Sequence, residues 1–184
     1  GERPIGILPT LYRVWCRSRL SVARSWEQPC SRVFLGCQGQ ILERAVHYQG
    51  LRLELARAQG QHALGLLPDL AKAYEYVDHG QLVHFARLHG FPADILSVCL
   101  STYAGPRRLV SQGVCTPWFA AGGQSIIAGC GMATTLLKVY TLTLFDSLSR
   151  WHRGVELHVY VDDVDLFSVH KDAQTAADRM GQAA

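Results

Sequence analysis

The 184-residue sequence has no apolar run long enough to cross a bilayer and no amino-terminal pattern of the kind a secretory signal carries. It has no Cys-x-x-Cys pair. Its six cysteines, at positions 16, 30, 37, 99, 115 and 130, keep no zinc-ligand spacing with the histidines. They read as reduced, mostly buried small hydrophobes of an intracellular protein. Internal repeats and low-complexity stretches are also lacking, which argues against solenoid architectures and disordered tails. The first 60 residues contain neither lysine nor aspartate: nine arginines stand against four glutamates. Residues 61–184 reverse the balance, with nine lysines and arginines against eleven acids. A basic front joined to an acid-bearing back suits a polyanion gripped in one place and worked on in another, although a solvated basic face has the same composition.

What is present is an apolar fraction of 48%, enough for one domain with a sizeable core, or one domain and a small companion. Gly1-Glu2-Arg3-Pro4-Ile5 enters core-like sequence at once, without a methionine, and the stretch from Lys171 to Ala184 stops without a Gly or Pro boundary. The chain therefore reads as a piece of a longer protein. Thr10 suits an N-cap for a helix to about Ser25, with Leu11, Val14, Trp15, Ser18 and Val22 at helical spacing. Trp26 to Gln40 reads as loop. Gln40 to Ala58 reads as a second helix, with Ile41, Ala45, Tyr48 and Leu51 or Leu55 on one side.

The character changes at Gly60. Ala63 to Leu70 is a compact apolar run ending in an acid, the pattern of a buried strand, with Pro68 marking its end or a bulge. Short helices follow over His79–His89 and Ala93–Tyr103, the first stopped by Gly90-Phe91-Pro92. Arg107 to Val114 is a candidate strand. Cys130 to Arg150 is the longest helix, striped by Ala133, Leu136, Leu137, Tyr140, Leu144 and Leu148. Strands followed by helices in this order predict an α+β layer, an antiparallel sheet with helices packed on one face.

The chemistry gathers at Tyr160-Val161-Asp162-Asp163. Leu157, Val159 and Val161 precede the two acids and Val164, Leu166 and Phe167 follow, so two period-2 strands meet at a tight connection. Taken alone, the pair fits ordinary turn chemistry. With Asp69 brought alongside by the sheet, it becomes a cation site, because three nearby carboxylates repel one another unless a cation neutralises them. Hard divalent ions take oxygen ligands, and Mg²⁺ uses one or two carboxylates with substrate phosphates. Two such ions, about 3.5–4 Å apart, serve in-line phosphoryl displacement.

Four segments carry a family resemblance. Asp69-Leu70-Ala71-Lys72-Ala73-Tyr74-Glu75-Tyr76-Val77 resembles motif A of reverse transcriptases of the non-LTR retrotransposon type, Asp-Leu-x-x-Ala-Phe/Tyr-Asp-x-Val. Tyr160-Val161-Asp162-Asp163 matches the Tyr-x-Asp-Asp of motif C. Arg3-Pro4-Ile5-Gly6-Ile7-Leu8-Pro9-Thr10 resembles the fingers segment of retroelement and group II intron enzymes, and Gly90-Phe91-Pro92 resembles the segment after motif A. The resemblance implies a polymerase palm over residues 61–184, with motifs A, B and C, preceded by a partial, largely helical fingers region over 1–60, with the thumb absent. It implies RNA-directed DNA polymerisation with two Mg²⁺ ions, or Mn²⁺, on an RNA template, a DNA or RNA primer and dNTPs, in the nucleus or cytoplasm, with no membrane partner.

Asp69, Asp162 and Asp163 would be the metal-binding catalytic acids. Tyr74 would lie under the incoming sugar and exclude a 2′-hydroxyl; Arg3 would point at the triphosphate. Motif B falls on Ser125 to Leu136. There Gly129 and Leu136 fit, but Ala128 stands where the family has Gln and Ala133-Thr134 replace Ser-Pro. Those departures keep open a non-catalytic relative that retains the fold and nucleic-acid binding. A palm without a thumb is expected to be weakly active or inactive by itself.

Overall fold

A computed structural model describes residues 5–30, 33–35, 37, 42–120 and 122–184. Its elements are α1 (Thr10–Glu27), a 3-10 turn (Gln28–Cys30), α2 (Leu42–Ala58), β1 (His62–Leu66), α3 (His79–Leu88), α4 (Ala93–Ala104), β2 (Val110–Ser111), β3 (Val114–Cys115), α5 (Ala133–Trp151), β4 (Glu156–Tyr160), β5 (Asp163–His170) and α6 (Ala173–Ala183). The fold is mixed helix and antiparallel sheet, as the pattern of elements predicts. Two compact units share the chain: one holds residues 1–23 and 72–140, the other 24–71 and 141–184.

The second unit is built on the three-stranded sheet β1-β5-β4, antiparallel throughout. Its alternation is that expected of a sheet with one apolar face. Leu157 of β4 sits directly opposite Leu166 of β5, and Val159 opposite Val164, and all four are buried. They close on Phe145 of α5 and on Met180 and Ala183 of α6, with Val33, Phe34 and Cys37 completing the cluster. Phe34 meets Phe145 edge to face, centroids 5.8 Å apart. The segment at Phe34 also borders β4, where Val159 N–H donates to Val33 and Leu35 N–H to Val159 at 2.9 and 2.7 Å. The opposite face carries Glu156, His158 and Tyr160 against Phe167, Asp165 and Asp163. Residues of α2 reach it: Gln49 donates to Asp165 at 2.8 Å, Arg52 pairs with Glu156, and the Arg52 guanidinium lies 5.5 Å from the Phe167 ring centre.

In the first unit, α3 is started and stopped by chemistry visible in the sequence. Asp78 caps it by accepting from Gln81 N–H at 2.8 Å. Gly90, at φ 64°, ends it. Phe91 N–H reaches Ala86 and Gly90 N–H reaches Arg87, a Schellman closure that a residue with a side chain adopts only under strain. The buried centre is partly polar. The Tyr12 hydroxyl of α1 donates to Cys99 Sγ of α4 at 3.2 Å and stands 3.1 Å from Cys130 Sγ. Five of the six cysteines are buried, as expected, and Cys115 is exposed.

Three local expectations are corrected. The face of α1 bearing Leu11, Val14 and Val22 is solvent-exposed, Leu11 by 85%; Tyr12, Cys16 and Ala23 are buried instead. On α2, Tyr48, Leu51 and Leu55 are exposed, while Gln49, Arg52 and Ala56 turn inward; Ile41 lies outside the described residues. Arg107 to Val114 is a hairpin, not one strand, because Gln112 and Gly113 both take positive φ, 49° and 81°. Among the described residues no helix is long and apolar enough to cross a membrane.

Candidate active site

The ladder hydrogen bonds of β1 stop at Leu66, two residues before Pro68, which has no N–H to give. The pairing then resumes for one residue: Asp69 forms an antiparallel bridge with Asp163. From Leu66↔Leu166 to Asp69↔Asp163 each chain advances by three, so register is kept across the proline with no bulge. Directly opposed residues of an antiparallel pair project to one face. Asp69 therefore shares the face of Asp163, Asp165 and Phe167. On the far side of β5, Tyr160 pairs with Asp163, so Asp69, Asp163 and Tyr160 form a row across the three strands.

Between Tyr160 and Asp163 lies a two-residue loop, Val161-Asp162. Val161 has φ 62°. A β-branched residue is a genuine outlier there, and the left-handed conformation costs about 1–2 kcal/mol. The sheet pairing on both sides of β5 holds that strained turn and presents Asp162 at its tip. Asp162 is half-buried, whereas Asp69 and Asp163 are exposed. The positive φ leaves no mark in the sequence, since valine is the last residue one would choose for it.

A second carboxylate layer lies one step further along the same face. Asp165 stands opposite His158, with Nδ1 3.8 Å from Oδ2, and accepts from Gln49. Burial pushes its carboxyl above the usual range, while His158 and the Gln49 hydrogen bond pull it back. The period-2 spacing of Asp163 and Asp165 is a sequence signal for a shared face; nothing in the sequence marks Gln49 as the partner of Asp165.

In the first unit, residues 74–79 run beside residues 123–126. Ile126 N–H donates to Tyr74 and Ser125 N–H to Val77, each at 2.8 Å, and His79 N–H donates to Gly123 at 3.0 Å. Tyr74 is half-buried. Gly6 N–H donates to Ala128 at 2.8 Å, so the segment following Arg3 lies along the Gly129 turn. Arg3 itself lies outside the described residues. Gly129 has φ 99°, and a Cβ there would stand 2.9 Å from the Gly6 carbonyl oxygen. Gly129→Ala is accordingly expected to destabilise the protein by about 1–3 kcal/mol, read as a lower urea midpoint. An unchanged midpoint would show that the turn is not held against Gly6.

Asp69, Asp162 and Asp163 are thus brought to one end of one sheet, and Tyr74 and Gly129 to one pair of adjoining segments. Among the described residues, no group of three or more His, Cys, Asp or Glu side chains is arranged to hold a metal ion. The carboxylate oxygens at the sheet end are of the donor type that hard divalent cations take. Mg²⁺ needs one or two carboxylates and completes its octahedron with phosphate oxygens and water. The facing pair Asp69 and Asp163, with Asp162 next along the chain, meets that requirement in ligand type.

No family model matches the chain, and no curated protein sequence matches it. Among solved structures, it is similar to apo telomerase from Candida tropicalis truncated from its C-terminal domain. The two share 12% identity with a TM-score of 0.60, over 94% of this chain and 36% of the other. The chain thus spans about a third of that protein's length. A likeness at this identity speaks for the fold alone: the chain shares the architecture of that part of the telomerase.

Proposed function

We propose that the chain is the fingers and palm portion of an RNA-directed DNA polymerase of a retroelement, of the non-LTR type, with residues 1–60 as fingers and 61–184 as palm. The observation that carries the reading is the register Asp69↔Asp163 with Asp162 at the adjoining hairpin tip. Motif A and motif C are far apart in sequence, and this pairing is the one a palm requires.

The reaction is attack of a primer 3′-hydroxyl on the α-phosphate of a dNTP, with pyrophosphate leaving. Asp69, Asp162 and Asp163 would hold two Mg²⁺ ions, which when bound stabilise the charge on the attacking and leaving oxygens. The carboxylates concentrate negative charge that a bound cation would relieve. Tyr74 sits under the sugar and excludes a 2′-hydroxyl by collision. Arg3 offers a planar donor fork to the triphosphate. The arginines of the amino-terminal region lie along template phosphates, giving binding that weakens with salt.

The test is addition of one nucleotide to a primed RNA template with protein in excess over template. Addition that requires Mg²⁺ and prefers dNTPs supports the reading; no addition by a protein extended past both ends of this chain overturns the catalytic part of it. Tyr74→Ala is expected to raise ribonucleotide incorporation relative to deoxyribonucleotide by about tenfold or more, the worth of roughly 1.4 kcal/mol in a rate ratio. Unchanged sugar discrimination would remove that role from Tyr74. A second reading, a non-catalytic relative, is favoured by motif B. Ala128 keeps its backbone bond to Gly6 but has no amide side chain to position a template base. RNA binding without nucleotide addition is its signature.

A further inference from the structure

Residues 107–119 of the first unit form a hairpin that none of the chemistry above uses. Its two arms are joined by backbone pairing along their length. Gln112-Gly113 makes a two-residue turn with both φ values positive, the hairpin geometry that matches strand twist. Arg107 and Phe119 exchange two hydrogen bonds of 2.9 Å each, and Leu109 N–H donates to Thr116 Oγ1 at 3.0 Å. The Arg107 guanidinium donates to the Tyr103 carbonyl near the end of α4. The hairpin is therefore held in shape while its side chains are spent outward: Trp118 is 65% exposed and Val114 73%, with Leu109 and Val110 exposed beside them.

Two observations say what such a surface is for. The Arg108 guanidinium lies 5.1 Å from the centre of the Trp118 ring, so a cation is already seated on an exposed indole. And the sequence between Asp94 and Asp146 has no carboxylate at all; its only charges are Arg107, Arg108 and Lys138. The hairpin itself offers a partner protein apolar residues but no carboxylate for its lysines or arginines. A ligand that is flat, apolar on its faces and anionic along its length matches both features.

We propose that this hairpin is a stacking perch for single-stranded nucleic acid, a base lying on Trp118 while Arg108 pairs with the adjoining phosphate. The contact is sequence-tolerant, because every base has a π-face. It needs neither metal nor dNTP, so it stands or falls apart from the polymerase reading.

The experiment is fluorescence anisotropy of a short fluorescein-labelled single-stranded RNA with the full chain, in EDTA and without nucleotides, over a KCl series. Trp118→Ala is expected to weaken binding about tenfold, and Trp118→Phe, which keeps an aromatic face, clearly less. Arg108→Gln is expected to lower the slope of log affinity against log salt by about one. Thermal midpoints equal to that of the wild type show that the exposed-site variants fold, and Arg108→Gln and Trp118→Phe read the proposal even if Trp118→Ala does not fold. Affinity and slope unchanged in the variants, or no RNA binding by the wild type, overturn it. So does a change in sedimentation of the protein with RNA affinity intact, which would make the hairpin a contact between copies of this chain.

Discussion

Asp162→Asn is expected to lower Mg²⁺-dependent addition of a dNTP to a primed RNA template by at least about a thousandfold. Asparagine keeps the size of the side chain and one acceptor oxygen, and it is as much at home in a tight turn as aspartate. What it loses is the charge. A hard cation held by one or two carboxylates is worth several kcal/mol of transition-state stabilisation, and each 1.36 kcal/mol is tenfold in rate. The hairpin should survive, because the pairing of Tyr160 with Asp163 and of Asp69 with Asp163 does not involve that side chain. Two measurements therefore separate the outcomes. A lost rate with an unchanged unfolding midpoint assigns Asp162 to the chemistry. Equal incorporation by the variant and the wild type would end the assignment of the acids.

Phe145→Ala carries the largest expected loss of stability, about 3–5 kcal/mol, the usual cost of a buried Phe-to-Ala truncation. Phe145 is 3% exposed and packs edge to face on Phe34. The same cluster contains Val159 and Val164, the strand residues on either side of the acid hairpin. Removing the ring opens a cavity beneath the hairpin and takes the aromatic contact with it. The thermal midpoint should fall by roughly 6–20 °C. Leu144, its neighbour on α5, is 56% exposed, so Leu144→Ala should change stability by no more than about 0.5 kcal/mol. Equal losses from the two variants would mean that α5 buries another face.

Much of the acid site was legible before any coordinates. β-branched and apolar residues alternate on both sides of Asp162-Asp163, and a two-residue interruption of such a pattern is a hairpin. Gly90 after α3 gave the end of that helix by local chemistry alone. The partners of the sheet's acid face were not legible. Gln49 and Arg52 look like surface residues of a helix whose leucines should be inside. Their inward turn is decided by Asp165 and Glu156, more than a hundred residues away in the chain. The same holds for α1, where a tyrosine hydroxyl finds two sulfur partners and Leu11 is left in water. Periodicity ranks faces by hydrophobicity, and a buried polar contact outranks it when its partner is supplied from elsewhere.

By itself the sequence determined most of the elements and the turn at Tyr160 to Asp163, because strand period, capping and turn preference are properties of neighbouring residues. Only the tertiary structure decided that Asp69 stands opposite Asp163, that register survives Pro68, and that Val161 is held at positive φ to present Asp162. Each of those depends on which strands pair and how far along. For β4 and β5 that choice is made by the burial of Leu157, Val159, Val164 and Leu166 in the cluster that holds Phe145, and a slip of one residue would turn the slipped strand's apolar side chains out.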